Sequence, residues 1–213
     1  PLNWCLMETP DDIQRVRLVG GHLALDFINT RGGQPRPSAD DEALHDYNDL
    51  ITWAHDVGIL TEAEAHRLLR RARRNPDDAQ DTYQRAVQQR SYLYELFRAV
   101  AMGHPPPDRC IAALRSDESE ALARAELVSG NGGFVWSWTH DDELASPLRP
   151  IVHAAVTLLT GGPLQRVKRC DGCQWLFIDE SKNRSRRWCS MEDCGTDEKV
   201  RRYLARRAAA RRR

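Results

Sequence analysis

Four cysteines near the C-terminal end of the chain constrain its fold more than any other feature. They are arranged C-x2-C-x15-C-x4-C, as "CDGC" at 170–173 and "WCSMEDC" at 188–194. Two close pairs separated by a hairpin-sized segment are a donor set that closes a tetrahedral zinc site, so Cys170, Cys173, Cys189 and Cys194 read as ligands of one Zn2+. Four thiolates leave no open coordination position, which makes the metal structural and not catalytic. Cys5 and Cys110 stand alone and read as ordinary thiols. A disulfide scaffold is the poorer reading, because 213 residues can bury a real core and no basic region followed by an apolar run marks a secretion signal. A cytoplasmic protein is expected, and no stretch approaches the roughly 18 apolar residues of a membrane span.

Between the cysteine pairs, Trp175 to Ile178 read as a strand, "ESKNRS" as a turn, and Arg186 to Cys189 as the returning strand, with the last cysteine at the start of a helix. Knuckle, hairpin and ligand-bearing helix make a small treble-clef-like zinc finger; a plain zinc ribbon is the rival topology. Upstream, helical spacing predicts a short buried helix after Gly20-Gly21, then helices over Leu44–Val57, from Thr61 to Pro76, over Asp77–Met102 and over Arg109–Ala125. Thr61 and Glu64 form a capping-box pattern, and Gly58 is placed to end the helix before it in a left-handed turn. Alternation of Phe134, Trp136 and Trp138 across a Gly/Asn turn predicts a β-hairpin, with both tryptophans facing the core or, less commonly, offering a stacking surface for bases. An apolar helix Ile151–Thr160 follows Pro147 and Pro150 and ends at Gly161-Gly162. The expected architecture is a mainly α N-terminal domain with one β-hairpin, residues 1–163, and the zinc module, residues 164–213.

The formal charge is zero, 31 Lys+Arg against 31 Asp+Glu, but it is unevenly placed. Residues 164–213 carry 15 Lys+Arg against 7 Asp+Glu, a net +8, and the remainder carries 16 against 24, a net −8. A basic end attracts polyanions locally whatever the total. Lys182, Arg184, Arg186 and Arg187 cluster at the hairpin tip and return strand; Lys199, Arg201, Arg202, Arg206 and Arg207 follow on the helix. Val200, Tyr203, Leu204 and Ala208 make one helical stripe, by which the helix can dock and leave its arginines outward for phosphate contact. The bland alternative is a solvated basic helix, or one packed on the acidic domain.

Catalytic groups are scarce. His22, Asp26 and Asn29 fall at i, i+4 and i+7 and would share a helical face, either lining a small-molecule pocket or forming a hydrogen-bonded helix edge in the core. No HExxH accompanies His45-Asp46 or His55-Asp56, no GK[ST] follows the glycines of "SGNGG", and no nucleophile stands beside a base. The chain is not expected to be an enzyme.

The residues "CDGCQWLFIDESKNRSRRWCSMEDCG" resemble the CGNR zinc finger, and "LVGGHLALDFINT" with "YNDLITWAHDVGIL" resembles the ABATE domain that precedes it in a bacterial family of stress-induced transcription regulators. The resemblance spans nearly the whole chain. It implies a helical N-terminal domain and a zinc finger that binds DNA. In a regulator of this kind the N-terminal domain is expected to sense a small-molecule effector or to mediate homodimerisation. One departure weakens the DNA partner: after the last cysteine the family pattern is Gly-Asn-Arg with a lysine two further on, and here Gly195 and Lys199 match while Thr196 and Asp197 stand for Asn and Arg. Asp197 is a swing of two charges beside the phosphate-contacting residues, although acids at a helix N-terminus are also favoured by the helix dipole. Without DNA, the chain would be a zinc-stabilised protein-interaction or dimerisation protein.

Overall fold

The computed structural model describes residues 18–31, 42–130, 132–138 and 143–210. Cys5, the loop sequence before residue 42 and the last three arginines therefore lie outside the described residues. Among the described residues six α-helices precede the zinc module: α1 (Leu23–Ile28), α2 (Tyr47–Asp56), α3 (Glu62–Arg74), α4 (Pro76–Ala101), α5 (Asp108–Leu122) and α6 (Leu148–Gly161), with a hairpin of β1 (Ala125–Gly130) and β2 (Gly133–Trp138) between the last two. A second antiparallel pair, β3 (Val167–Arg169) and β4 (Leu176–Ile178), leads to α7 (Thr196–Ala210). This is the mainly α chain with small strand pairs that the patterns predict.

Local signals act where they are expected. The Thr61 hydroxyl accepts from the Glu64 backbone N–H and the Glu64 carboxylate accepts from Thr61 N–H, closing the capping box of α3, while Gly58 takes φ +78° after α2. The apolar α1 is short but sits at the centre: Leu25, Phe27 and Ile28 are fully buried, packed against α6 and α4, with the Phe27 ring 5.4 Å from that of Trp53. Arg90 of α4 is buried too, and its guanidinium bonds both Glu42 oxygens and the Thr30 hydroxyl, tying the chain after α1 to the core.

Two expectations change. Helix α6 begins at Leu148, so Pro150 lies inside its first turn; the missing proline N–H costs nothing there, because first-turn N–H groups have no intrahelical partner. The β1–β2 hairpin is a surface feature: Leu127, Phe134 and Trp136 are exposed, and the hairpin leans on α6 through its tryptophans, with the Trp138 and Trp136 rings 5.2 Å and 6.2 Å from that of His153. Trp136 is therefore not a core residue. A two-stranded ribbon has no second layer to bury its face unless another element covers it.

Candidate metal centre and basic surface

The zinc module is not a bead on a string, because its strand pair is part of the main core. Val167, Leu176 and Ile178 belong to the same buried cluster as Leu25, Phe97 and Ile151. Asn29, just past α1, makes the joint: its Nδ2 donates to the Leu176 carbonyl at 2.8 Å and its Oδ1 accepts from Leu176 N–H at 2.9 Å, so the side-chain amide completes β4 as a neighbouring strand would. Ile178 N–H donates to the Gly20 carbonyl and the Trp175 indole donates to the Arg31 carbonyl. The other members of the His22, Asp26, Asn29 trio are also spent locally. His22 is the N-cap of α1, its Nδ1 accepting from Ala24 N–H, and Asp26 accepts from Gly20 N–H at 2.8 Å. Burial pushes the Asp26 carboxyl up against the opposing pull of the backbone N–H groups at Gly20, His22 and Val19.

Beyond β3 the chain makes a knuckle that presents the first two cysteines. Cys170 N–H donates to the Trp175 carbonyl, and Gln174 adopts φ +67° to turn the chain into β4. Gly172 is required by proximity: a Cβ there would stand 2.9 Å from the Cys194 Cβ. The second pair comes from an irregular segment and a π-helical turn, Met191–Gly195, capped by the Ser190 hydroxyl accepting from Glu192 and Asp193 N–H. The four sulfurs lie within 4.8 Å of one another, with Cys173 and Cys189 at 3.4 Å and Cys189 and Cys194 at 3.8 Å. Zinc–sulfur bonds of about 2.3 Å in a tetrahedron put sulfurs about 3.8 Å apart, so the arrangement fits the ion. Burial, and then the Cys170 charge, push the Cys194 thiol up; bound zinc supplies the positive charge that lets all four sulfurs stay deprotonated together.

The predicted return strand over Arg186–Cys189 is absent. The partner of β4 is β3, in the register Val167↔Ile178, Lys168↔Phe177 and Arg169↔Leu176. Segment 184–189 instead has several of its backbone groups taken by side chains, while the Arg187 carbonyl accepts from Asp171 N–H. Lys168 Nζ donates to the carbonyls of Arg184 and Arg186, and the Arg186 guanidinium donates to those of Trp188 and Cys189. At the hub is Asp179, fully buried, accepting from Lys168 Nζ at 2.7 Å and from the backbone N–H of Ser181 and Arg186 at 3.0 Å each. Burial pushes its carboxyl up, but these donors outweigh it and hold it well below the usual carboxylate range. A depressed folded pKa means the Asp179 contribution is full above its unfolded value near 4 and is lost as pH falls toward the folded one. Asp179→Asn, which forfeits the charge and one acceptor, is expected to cost about 2 to 3 kcal/mol in urea denaturation at pH 7, with the gap to wild type narrowing at acid pH. Sequence reading missed this hub, since nothing in the spacing of Lys168, Asp179 and Arg186 marks them as partners.

The basic residues divide into two sets. Arg186 is committed to the loop and stacks over Phe177, its guanidinium carbon 4.6 Å from the ring centre; Arg187 pairs with Asp171; Arg201 and Arg202 both pair with Glu198. Lys182, Arg184, Lys199 and Arg206 are exposed, with no ion pair among the described residues. Helix α7 has no buried residue, so the stripe of Val200, Tyr203 and Leu204 is not docked among the described residues: these side chains are 51%, 57% and 57% exposed. The reason is its direction of exit, since α7 is in close contact mainly with the turn that precedes it. Thr196 donates its hydroxyl to the Met191 carbonyl, closing that turn, and Asp197 lies exposed in the first turn of α7.

Residues 21–162 match ABATE, described as "Putative stress-induced transcription regulator", and residues 166–207 match the CGNR zinc finger. No curated protein matches the chain. Both families are regulatory or zinc-finger domains in kind, and no described helix is long and apolar enough to cross a membrane.

Proposed function

The chain belongs to the ABATE family and carries its CGNR zinc finger, and from that premise we propose that it is a zinc-dependent DNA-binding transcriptional regulator. In this reading residues 164–213 contact DNA and residues 1–163 receive a small-molecule signal or pair two copies. The observation that carries it is the exit of α7: the turn that holds Cys194 leads into a helix with cations along it that has no buried residue among those described. Lys182, Arg184, Lys199 and Arg206 are the cations best placed to meet phosphates, because none is neutralised by a neighbour. Arg186, Arg187, Arg201 and Arg202 first hold the module together, and their contact with phosphate would compete with existing partners. Asp197 subtracts from the same surface while favouring the helix N-terminus.

Gel shifts of duplex DNA by the zinc-loaded full chain, run across salt concentrations, test the proposal. Binding is expected to weaken with salt, with the slope falling by about 0.9 for each phosphate left unneutralised by Lys182→Gln, Arg184→Gln or Lys199→Gln, and rising with Asp197→Arg. Wild-type protein that shifts no duplex at low salt would end the DNA reading. One observation favours the second reading, a zinc-stabilised interaction or dimerisation protein: the apolar stripe of α7 is laid open and not packed away. In that case the wild-type chain would self-associate without shifting duplex DNA, and Leu204→Ser would abolish the self-association in light scattering.

A further inference from the structure

The acidic N-terminal half contains one strongly basic element. Residues 66–74 read "HRLLRRARR", five arginines with no acid. In α3, Arg67, Arg70, Arg71 and Arg74 fall at i, i+3, i+4 and i+7, so one helical face carries all four, and each is exposed. The opposite face, Ala65, Leu68 and Ala72, is buried in the core, which fixes the arginine face outward. Together with Asn75 the four arginines line an open cleft of about 350 Å³. Arg70, Arg71 and Arg74 have no ion pair among the described residues. Like charges at these spacings repel one another. The helix dipole rewards cations in the last turn, which accounts for some of the charge near Arg74 but does not extend to Arg67 a full two turns earlier.

We propose that the arginine face of α3 is a second DNA-backbone contact, through which the N-terminal half grips the phosphates of the duplex engaged by the zinc module. The inference rests on the DNA reading above. The cleft's shape argues for a phosphodiester backbone: its lining is cationic and polar along a single helix, with no apolar or aromatic wall to enclose a small molecule. Seven residues of helix rise about 10 Å, and successive phosphates of one strand are spaced about 3.4 Å along the duplex axis, so the stripe can meet two or three of them. Arginine suits the task, since its planar fork bonds phosphate oxygens in pairs.

The test uses the full zinc-loaded chain and the triple substitution Arg70→Gln, Arg71→Gln, Arg74→Gln, which places good helix formers at exposed positions and is expected to leave the circular dichroism melt unchanged. Fluorescence anisotropy with duplex DNA should show weaker binding and a salt slope reduced by about 2 to 3, since each phosphate no longer neutralised takes about 0.9 from it. The Lys182→Gln, Arg184→Gln, Lys199→Gln variant, measured in parallel, reports on the zinc module. If that variant loses affinity while the α3 variant binds as wild type with an unaltered slope, the α3 proposal is overturned and the zinc-module reading stands. If both variants lose affinity, the α3 contact is upheld as a second one; if the α3 variant alone loses affinity, the zinc module is not the reader and the proposal of a shared duplex is overturned with that reading. Absence of any wild-type binding removes both. Titration with tripolyphosphate separates the remaining source: calorimetric binding of that anion, abolished by the triple substitution with no change in DNA affinity, would overturn the duplex contact in favour of a free phosphorylated ligand.

Discussion

Removing zinc, by chelation or by Cys189→Ser, is expected to melt the C-terminal module and to lower the unfolding temperature of the whole chain. Structural zinc contributes about 10 to 16 kcal/mol of apparent binding energy in small finger peptides, as much as the entire stability of an ordinary domain. The segment that binds it has no strand pairing and rests on side-chain hydrogen bonds: 184–189 is irregular, and α7 has no buried residue. The effect should then spread through β3 and β4, because Val167, Leu176 and Ile178 are core residues shared with the N-terminal helices. A cost of about 5 kcal/mol passed to the remainder would lower the midpoint by about 10 to 20 °C in a chain of this size. Metal content by mass spectrometry, read beside a near-ultraviolet circular dichroism melt, checks both parts. A metal-free protein with the native melt would contradict the assignment of zinc as the staple.

Asn29→Ala is expected to cost about 3 to 5 kcal/mol in urea denaturation, far more than the substitution of an exposed asparagine. It leaves the Leu176 N–H and carbonyl buried with no partner, and each orphaned group costs about 1 to 3 kcal/mol. Asn29→Asp keeps the acceptor for Leu176 N–H but sets a carboxylate against the Leu176 carbonyl, so it should be no milder. His22→Ala, which removes a half-exposed cap, should cost about 1 kcal/mol. If His22, Asp26 and Asn29 formed a ligand site instead, Asn29→Ala would leave stability nearly unchanged and remove a ligand-dependent rise in melting temperature.

Features with short-range causes were legible from residue order. The box of Thr61 and Glu64, the turn at Gly58, the hairpin across Gly132 and the four cysteines each rest on residues a few positions apart, or on a metal whose chemistry tolerates few spacings. Helix periodicity likewise located α2 to α5, and Gly20-Gly21 the start of α1. What could not be read is who answers whom across distance. The partner of β4 is decided by β3 and by a side-chain amide 147 positions away, and the return strand was displaced because Lys168, Asp179 and Arg186 had already claimed its backbone groups.

The same division holds for the basic surface. Charge composition identified the C-terminal cations as a set, yet only the fold separates Lys182, Arg184, Lys199 and Arg206 from those answered by Asp171, Glu198 or a carbonyl. It also sets the arginines of α3, a short basic run within an acidic stretch of sequence, on one exposed face. Sequence by itself determined the zinc ligands, the helical class and the placement of most helices, because covalent spacing and periodicity are properties of the chain. The tertiary structure alone decided that the zinc module shares the main core, that α7 lies exposed, and which charges are answered among the described residues, because burial and pairing depend on groups the chain brings together only when folded.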